Sequence, residues 1–137
     1  MNKLVMIIDD SPTVRKIVEV SLKREGFTVV AFSDGIEALR ALTTKQLDRI
    51  PDLIFLDIDL PKMNGYEIAR HLKAKPAWSN TVIVILSRHN GVVDRLKGRL
   101  AGAQTYLTKP FTTQTIVDVV NNSLHLTPPT SASGTYL

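Results

Sequence analysis

The sequence contains no cysteine, which excludes disulfides and thiolate metal sites. The absence fits a reducing compartment without requiring one. Long apolar runs are also missing. No stretch approaches the roughly 20 residues needed to span a bilayer, so no membrane insertion is expected. The run Leu4–Ile8 is too short for the apolar part of a signal peptide and ends in two acids. The expected location is cytoplasmic. Aromatic residues are few, at 6%, and no tight Lys/Arg cluster is interleaved with them. The net charge of +4 is therefore read as scattered surface charge, and no nucleic-acid partner is expected.

What is present suits one domain. The chain has 137 residues, 44% of them hydrophobic, enough to bury a core without covalent staples. Five short apolar runs recur: Leu4–Ile8, Thr28–Phe32, Leu53–Leu56, Val82–Leu86 and Gln104–Leu107. Such runs are expected of strands buried on both faces of a parallel sheet. Helical periodicities lie between them. Val14, Ile17, Val18, Ser21 and Leu22 share one helix face, started by Ser11 and Pro12 and ended at Gly26. Further helices are marked by Ile36, Leu39 and Leu42; by Ile68, Ala69 and Leu72; by Val93, Leu96 and Leu100, with Gly98 as a weak point; and by Ile116, Val119, Val120, Ser123 and Leu124. Fivefold alternation implies an α/β fold: a five-stranded parallel sheet flanked by five helices, doubly wound. Residues 1–126 are expected to form the domain. Residues 127–137 are rich in Pro, Ser, Thr and Gly and are expected to be a flexible tail.

In this architecture ligands bind at the edge where strands end, and the polar residues that stand out lie there. Asp9 and Asp10 follow the first strand. Their carboxylates repel unless a cation such as Mg²⁺ neutralises them, although acids at the start of a helix are also common. Asp57 follows four apolar residues and precedes a loop punctuated by Pro61 and Gly65. A carboxylate fixed beside Mg²⁺ can attack phosphorus. Ser87 ends the fourth run, as a helix cap or as a donor to a phosphoryl oxygen. Lys109 follows the fifth run, as a surface lysine or as a partner for phosphate, and Lys109–Pro110 is a candidate cis bond. Each has a plain reading alone. Together they put acids, a hydroxyl and an ammonium on one sheet edge, the set that phosphoryl transfer needs.

The motifs Ile7-Ile8-Asp9-Asp10-Ser11, Leu56-Asp57 through Asn64-Gly65, Leu86-Ser87 and Thr108-Lys109-Pro110-Phe111 resemble the receiver domain of two-component response regulators. The resemblance covers roughly Lys3 to Leu126. It is nearest to the single-domain chemotaxis type, with features similar to regulators of twitching motility and phototaxis. It implies a flavodoxin-like sandwich with Asp57 as phosphoacceptor. It implies that Asp10, Asp57 and the Asp59 backbone carbonyl hold Mg²⁺, with Asp9 acting through water. Ser87 and Lys109 would contact the phosphoryl group, and Ser87 with Tyr106 would form the switch. The implied partners are a sensor histidine kinase or phosphotransfer domain, and a downstream protein on the face of the fourth helix, fifth strand and fifth helix. The implied protein is a monomer or weak dimer, and not an enzyme beyond slow self-phosphorylation and autodephosphorylation. Arg88 and His89 depart from the family pattern; an exposed loop is expected there.

Three alternatives compete. A degenerate receiver that serves only as a docking module is opposed by the intact acids, Ser87 and Lys109. Asp57-Ile58-Asp59 has the D-x-D pattern of haloacid-dehalogenase-type phosphatases, but there the pattern ends the first strand and further acids follow the lysine. A helix-turn-helix output domain would need more residues than follow the fifth helix.

Overall fold

All five residues of β1 (Leu4–Ile8) are buried, which requires cover on both faces of the sheet. The computed structural model describes residues 2–44, 46–89 and 91–126; the segment expected to be a flexible tail, 127–137, lies outside them. After β1 come α1 (Pro12–Arg24), β2 (Thr28–Phe32), α2 (Gly35–Thr43), β3 (Leu53–Asp57) and α3 (Gly65–Lys73). A short 3-10 turn (Pro76–Trp78), β4 (Val82–Ser87), α4 (Val92–Leu100), β5 (Thr105–Thr108) and α5 (Thr113–Ser123) follow. The strands pair in parallel in the order β2-β1-β3-β4-β5. This is the expected doubly wound, flavodoxin-like sandwich.

Side chains of a strand alternate between faces, and two cores result. Met6, Ile8, Ile54, Leu56, Ile83 and Ile85 enter one, with α2, α3 and the 3-10 turn above them. Val5, Ile7, Leu53, Phe55, Val84 and Leu86 enter the other, under α1 and α5. Burying one such side chain contributes roughly 1.5–3 kcal/mol.

The strand register aims the functional edge. Ile8 pairs with Leu56, Asp57 with Leu86, and Ser87 with Thr108. The residues that follow Ile8 and Thr108, namely Asp9 and Lys109, therefore emerge beside Asp57.

The helix starts and stops are local. Ser11 caps α1, its side chain accepting from the Val14 amide at 3.3 Å. Gly26, at φ 91°, ends it, and the Phe27 amide returns to the Leu22 carbonyl at 3.0 Å. A left-handed φ carries little penalty only for glycine.

Three expectations shift. β5 begins at Thr105 rather than Gln104: the Gln104 amide donates to the Ile83 carbonyl at 3.0 Å, but the Ile83 amide donates to the Gln104 side chain at 3.0 Å. Ile36 of α2 is exposed, and Ala38 and Ala41 face the core instead. In α4 the residues that mark the helix, Val93, Leu96 and Leu100, are exposed, and Gly98 is the buried position. A Cβ at 98 would stand 3.1 Å from Ile85 Cδ1 and 3.2 Å from Tyr106 Cδ2. The residue expected to be a weak point is thus where α4 rests on the sheet. Among the described residues no helix is long and apolar enough to cross a membrane.

Candidate functional site

Asp9 follows β1 and is fully buried; Asp57 closes β3 and is 2% exposed. A buried carboxylate needs partners, and each finds one from its own loop. Asp9 Oδ1 accepts from the Ser11 amide at 2.9 Å, and Asp57 Oδ1 accepts from the Asp59 amide at 2.9 Å. The second oxygens face Lys109. Its Nζ lies 2.8 Å from Asp9 Oδ2 and 3.4 Å from Asp57 Oδ2, with the lysine side chain 15% exposed. Among the described residues Asp9 Oδ2 accepts no hydrogen bond of good direction, so its contact with the ammonium is a charge contact. Lys109–Pro110 is cis.

Asp10 is exposed and brings a third carboxylate. One oxygen each from Asp9, Asp10 and Asp57 lie within 4.8 Å of one another. Three carboxylates against one ammonium leave an excess of negative charge. Oxygen donors at this spacing fit a hard divalent cation, which would keep several waters. The Asp59 carboxylate is outside that group, with its Oδ1 4.0 Å from His89 Nε2. Burial pushes the Asp57 carboxyl up to about 6. The Asp9 charge adds to the rise, while the Asp59 amide and Lys109 oppose it.

Ser87 ends β4 with no exposure. Its Oγ accepts from the His89 amide at 2.9 Å, and its carbonyl accepts from the Lys109 amide at 2.7 Å. The hydroxyl is thereby tied to the β4–α4 loop and the lysine backbone to β4. Arg88 and His89 are both exposed, as expected.

Tyr106 lies on β5 beneath Gly98, with the Arg95 guanidinium carbon 5.5 Å from its ring centre. Among the described residues its buried hydroxyl has no hydrogen-bond partner. Burial, with the Tyr106 hydroxyl alongside, raises the Tyr66 hydroxyl's pKa well above its usual value. Tyr66 Oη donates to the Asp94 carbonyl at 3.1 Å, tying α3 to α4.

Sequence reasoning brought Asp9, Asp10, Asp57 and Lys109 to one place, and they are together. It missed Arg15, whose Nη1 donates to the Asp9 carbonyl at 2.8 Å; an arginine one turn into a helix gives no local signal for such a contact. It read Gly65 only as punctuation. A Cβ there would stand 2.5 Å from Ile58 Cα and 2.7 Å from the Asp57 carbonyl oxygen, so this glycine allows α3 to start against the Asp57 loop.

Known proteins resemble this chain in sequence and in fold. A family model described as the response regulator receiver domain matches residues 5–121. Protein PilG of Pseudomonas aeruginosa is 38% identical over 116 residues, covering 85% of this chain and 83% of that protein. Sensor histidine kinase CheAY of Helicobacter pylori is 35% identical over 123 residues, covering 90% of this chain but 15% of that protein. The structure of Vibrio cholerae chemotaxis protein CheY4 superposes with a TM-score of 0.80 at 27% identity, covering 89% of this chain and 98% of that one. With its match to the family over most of its length and the acidic strand-end notch, the chain belongs to the response regulator receiver domains of two-component signalling.

Proposed function

We propose that this receiver accepts a phosphoryl group on Asp57 from a sensor histidine kinase or phosphotransfer domain, and then signals by a change of shape to a protein partner in motility or taxis control. The observation that carries the reading is the Lys109 ammonium set between Asp9 and Asp57 at the base of a three-carboxylate notch. The similarity to a chemotaxis protein supports the choice of process.

An Asp57 oxygen attacks phosphorus, the bond from phosphorus to the donor nitrogen breaks, and its electron pair leaves with the donor. Asp10, Asp57 and the Asp59 backbone carbonyl would hold Mg²⁺, with Asp9 acting through water, and the ion would supply positive charge to the phosphoryl oxygens. Lys109 supplies a second cation to those oxygens, and Ser87 donates its hydroxyl to them. Ser87 is tied to the His89 amide, so its movement draws the β4–α4 loop. The space that Ser87 vacates lets Tyr106 turn inward, to the buried placement its hydroxyl has here. The surface of α4, β5 and α5 changes with it and receives the partner. This is a population shift between two states, biased by nearly two added negative charges. Residues 1–126 form the receiver, working as a monomer or weak dimer. Its own chemistry is limited to slow self-phosphorylation and autodephosphorylation.

The test is intact-mass analysis after incubation with acetyl phosphate, with Mg²⁺ or with a chelator. One phosphoryl group added with Mg²⁺ and none with chelator is the expected result. An unmodified mass under both conditions contradicts the reading.

A further inference from the structure

The end of the sheet opposite Asp57, where the strands begin, holds a second concave site. A cleft of about 710 Å³ opens between the end of α2, the chain leading into β3 and the Pro76–Trp78 turn. Small-molecule sites run from roughly 300 to 1,000 Å³ and combine apolar walls with a few polar groups. The walls here are Leu42, Leu47, Ile50, Pro76 and Trp78. Trp78 is 7% exposed and belongs to the core beneath, which makes it a fixed floor, whereas Ile50 is 42% exposed. Covering such wet apolar surface yields roughly 25 cal/mol per Å².

The charges at the cleft are unequal: Arg49 and Lys75 against Asp48. Arg49 Nη1 donates to the Asn2 carbonyl at 2.6 Å. That contact fixes the guanidinium in place and leaves other N–H groups to meet a ligand. Among the described residues neither Arg49 nor Lys75 has a carboxylate within ion-pair distance. None of the cleft's lining residues belongs to the acidic notch.

We propose that this cleft binds a small amphiphilic anion, a carboxylate or sulfonate on an apolar body. The body lies on Trp78 and Ile50, and the head meets Arg49 and Lys75. An anionic head is favoured because the lining carries two cations, Arg49 and Lys75, against one carboxylate, Asp48, and a charge-assisted contact is roughly twice as strong as a neutral one.

Trp78 is the sole tryptophan of the chain, so its emission reports this cleft. The full chain is titrated with sodium decanoate below its micellar range, and separately with decanol and with decyltrimethylammonium. The expected result is a saturable change with decanoate and binding about tenfold weaker or worse with the other two. Lys75→Glu and Arg49→Glu each weaken decanoate binding by about tenfold, and Ile50→Asp removes it. Circular dichroism and an unchanged phosphoryl label on Asp57 check that each variant is folded. Where a variant fails that check, the three-ligand comparison on the unaltered chain decides. A change that never saturates, equal binding of the cationic amphiphile, or charge-reversal variants that bind decanoate undiminished overturns the proposal.

Discussion

The Lys109 ammonium lies 3.4 Å from Asp57 Oδ2, and the same nitrogen lies 2.8 Å from Asp9 Oδ2. One cation thus serves two buried acids that would otherwise repel. Removing one member of a buried ionic cluster is costlier than the cluster is stabilising, because the remaining charge is left uncompensated. Lys109→Met is expected to lower stability by about 3 kcal/mol at neutral pH without divalent ions. Added Mg²⁺ is expected to recover part of the loss. Urea unfolding with and without Mg²⁺ measures both; an unchanged midpoint in metal-free buffer would refute the bridging role.

Asp57→Asn acts in the opposite sense on stability. Burial raises the Asp57 carboxyl from 3.8 to about 6, so the folded state binds more protons than the unfolded chain between those values. Stability from this group is fully present below about pH 4, declines as pH rises to about 6, and stays low above it. The amide carries no charge to bury. The variant is expected to be more stable than the unaltered protein by about 1–2 kcal/mol at pH 7 in metal-free buffer, allowing for screening at the notch mouth. The gain should vanish near pH 4, as read from paired denaturant curves.

The same shift sets the pH dependence of cation binding. A protonated Asp57 offers a poorer ligand to a divalent ion. Mg²⁺ affinity, measured by calorimetry, is expected to rise between pH 5 and 7 and to level off above. Trp78 lies at the opposite sheet edge and is not expected to report this event. An affinity independent of pH across that range would contradict a ligand role for Asp57.

Gly65 and Gly26 separate two reasons for glycine. Gly65→Ala puts a methyl 2.5 Å from the Ile58 backbone, and either α3 or the Asp57 loop must move. A loss of about 2–4 kcal/mol is expected, with slower labelling by acetyl phosphate. Gly26→Ala meets nothing within 4 Å but keeps φ at 91°, and about 1 kcal/mol is expected with labelling unchanged. Thermal melts and labelling rates distinguish the two.

Much of this was legible in the chain. Apolar runs gave the strands to within a residue, because the central strands β1, β3 and β4 are buried almost throughout and leave few polar positions to confuse the pattern. Strand ends then located Asp9, Asp10, Asp57, Ser87 and Lys109, since the edge is a consequence of topology. α4 was legible as a helix but not in orientation. Its Leu96 and Leu100 carry the apolar signal, yet Gly98 touches the sheet. Periodicity reports a stripe, and only packing decides which way it faces. Arg15 and the amphiphile cleft were illegible for a related reason. Arg15 reaches back six residues to a backbone carbonyl at the strand end, and the cleft joins the end of α2 to the Pro76–Trp78 turn, segments that meet only after folding.

The central claim concerns one carboxylate, and borohydride trapping tests it at residue level. Protein labelled with acetyl phosphate and Mg²⁺ is reduced, which converts an aspartyl phosphate to homoserine, and is then mapped by peptide mass spectrometry. Homoserine at position 57 alone, absent in Asp57→Asn, is the predicted result. Homoserine at 9, 10 or 59, or at no position in protein that has gained phosphate, would contradict it.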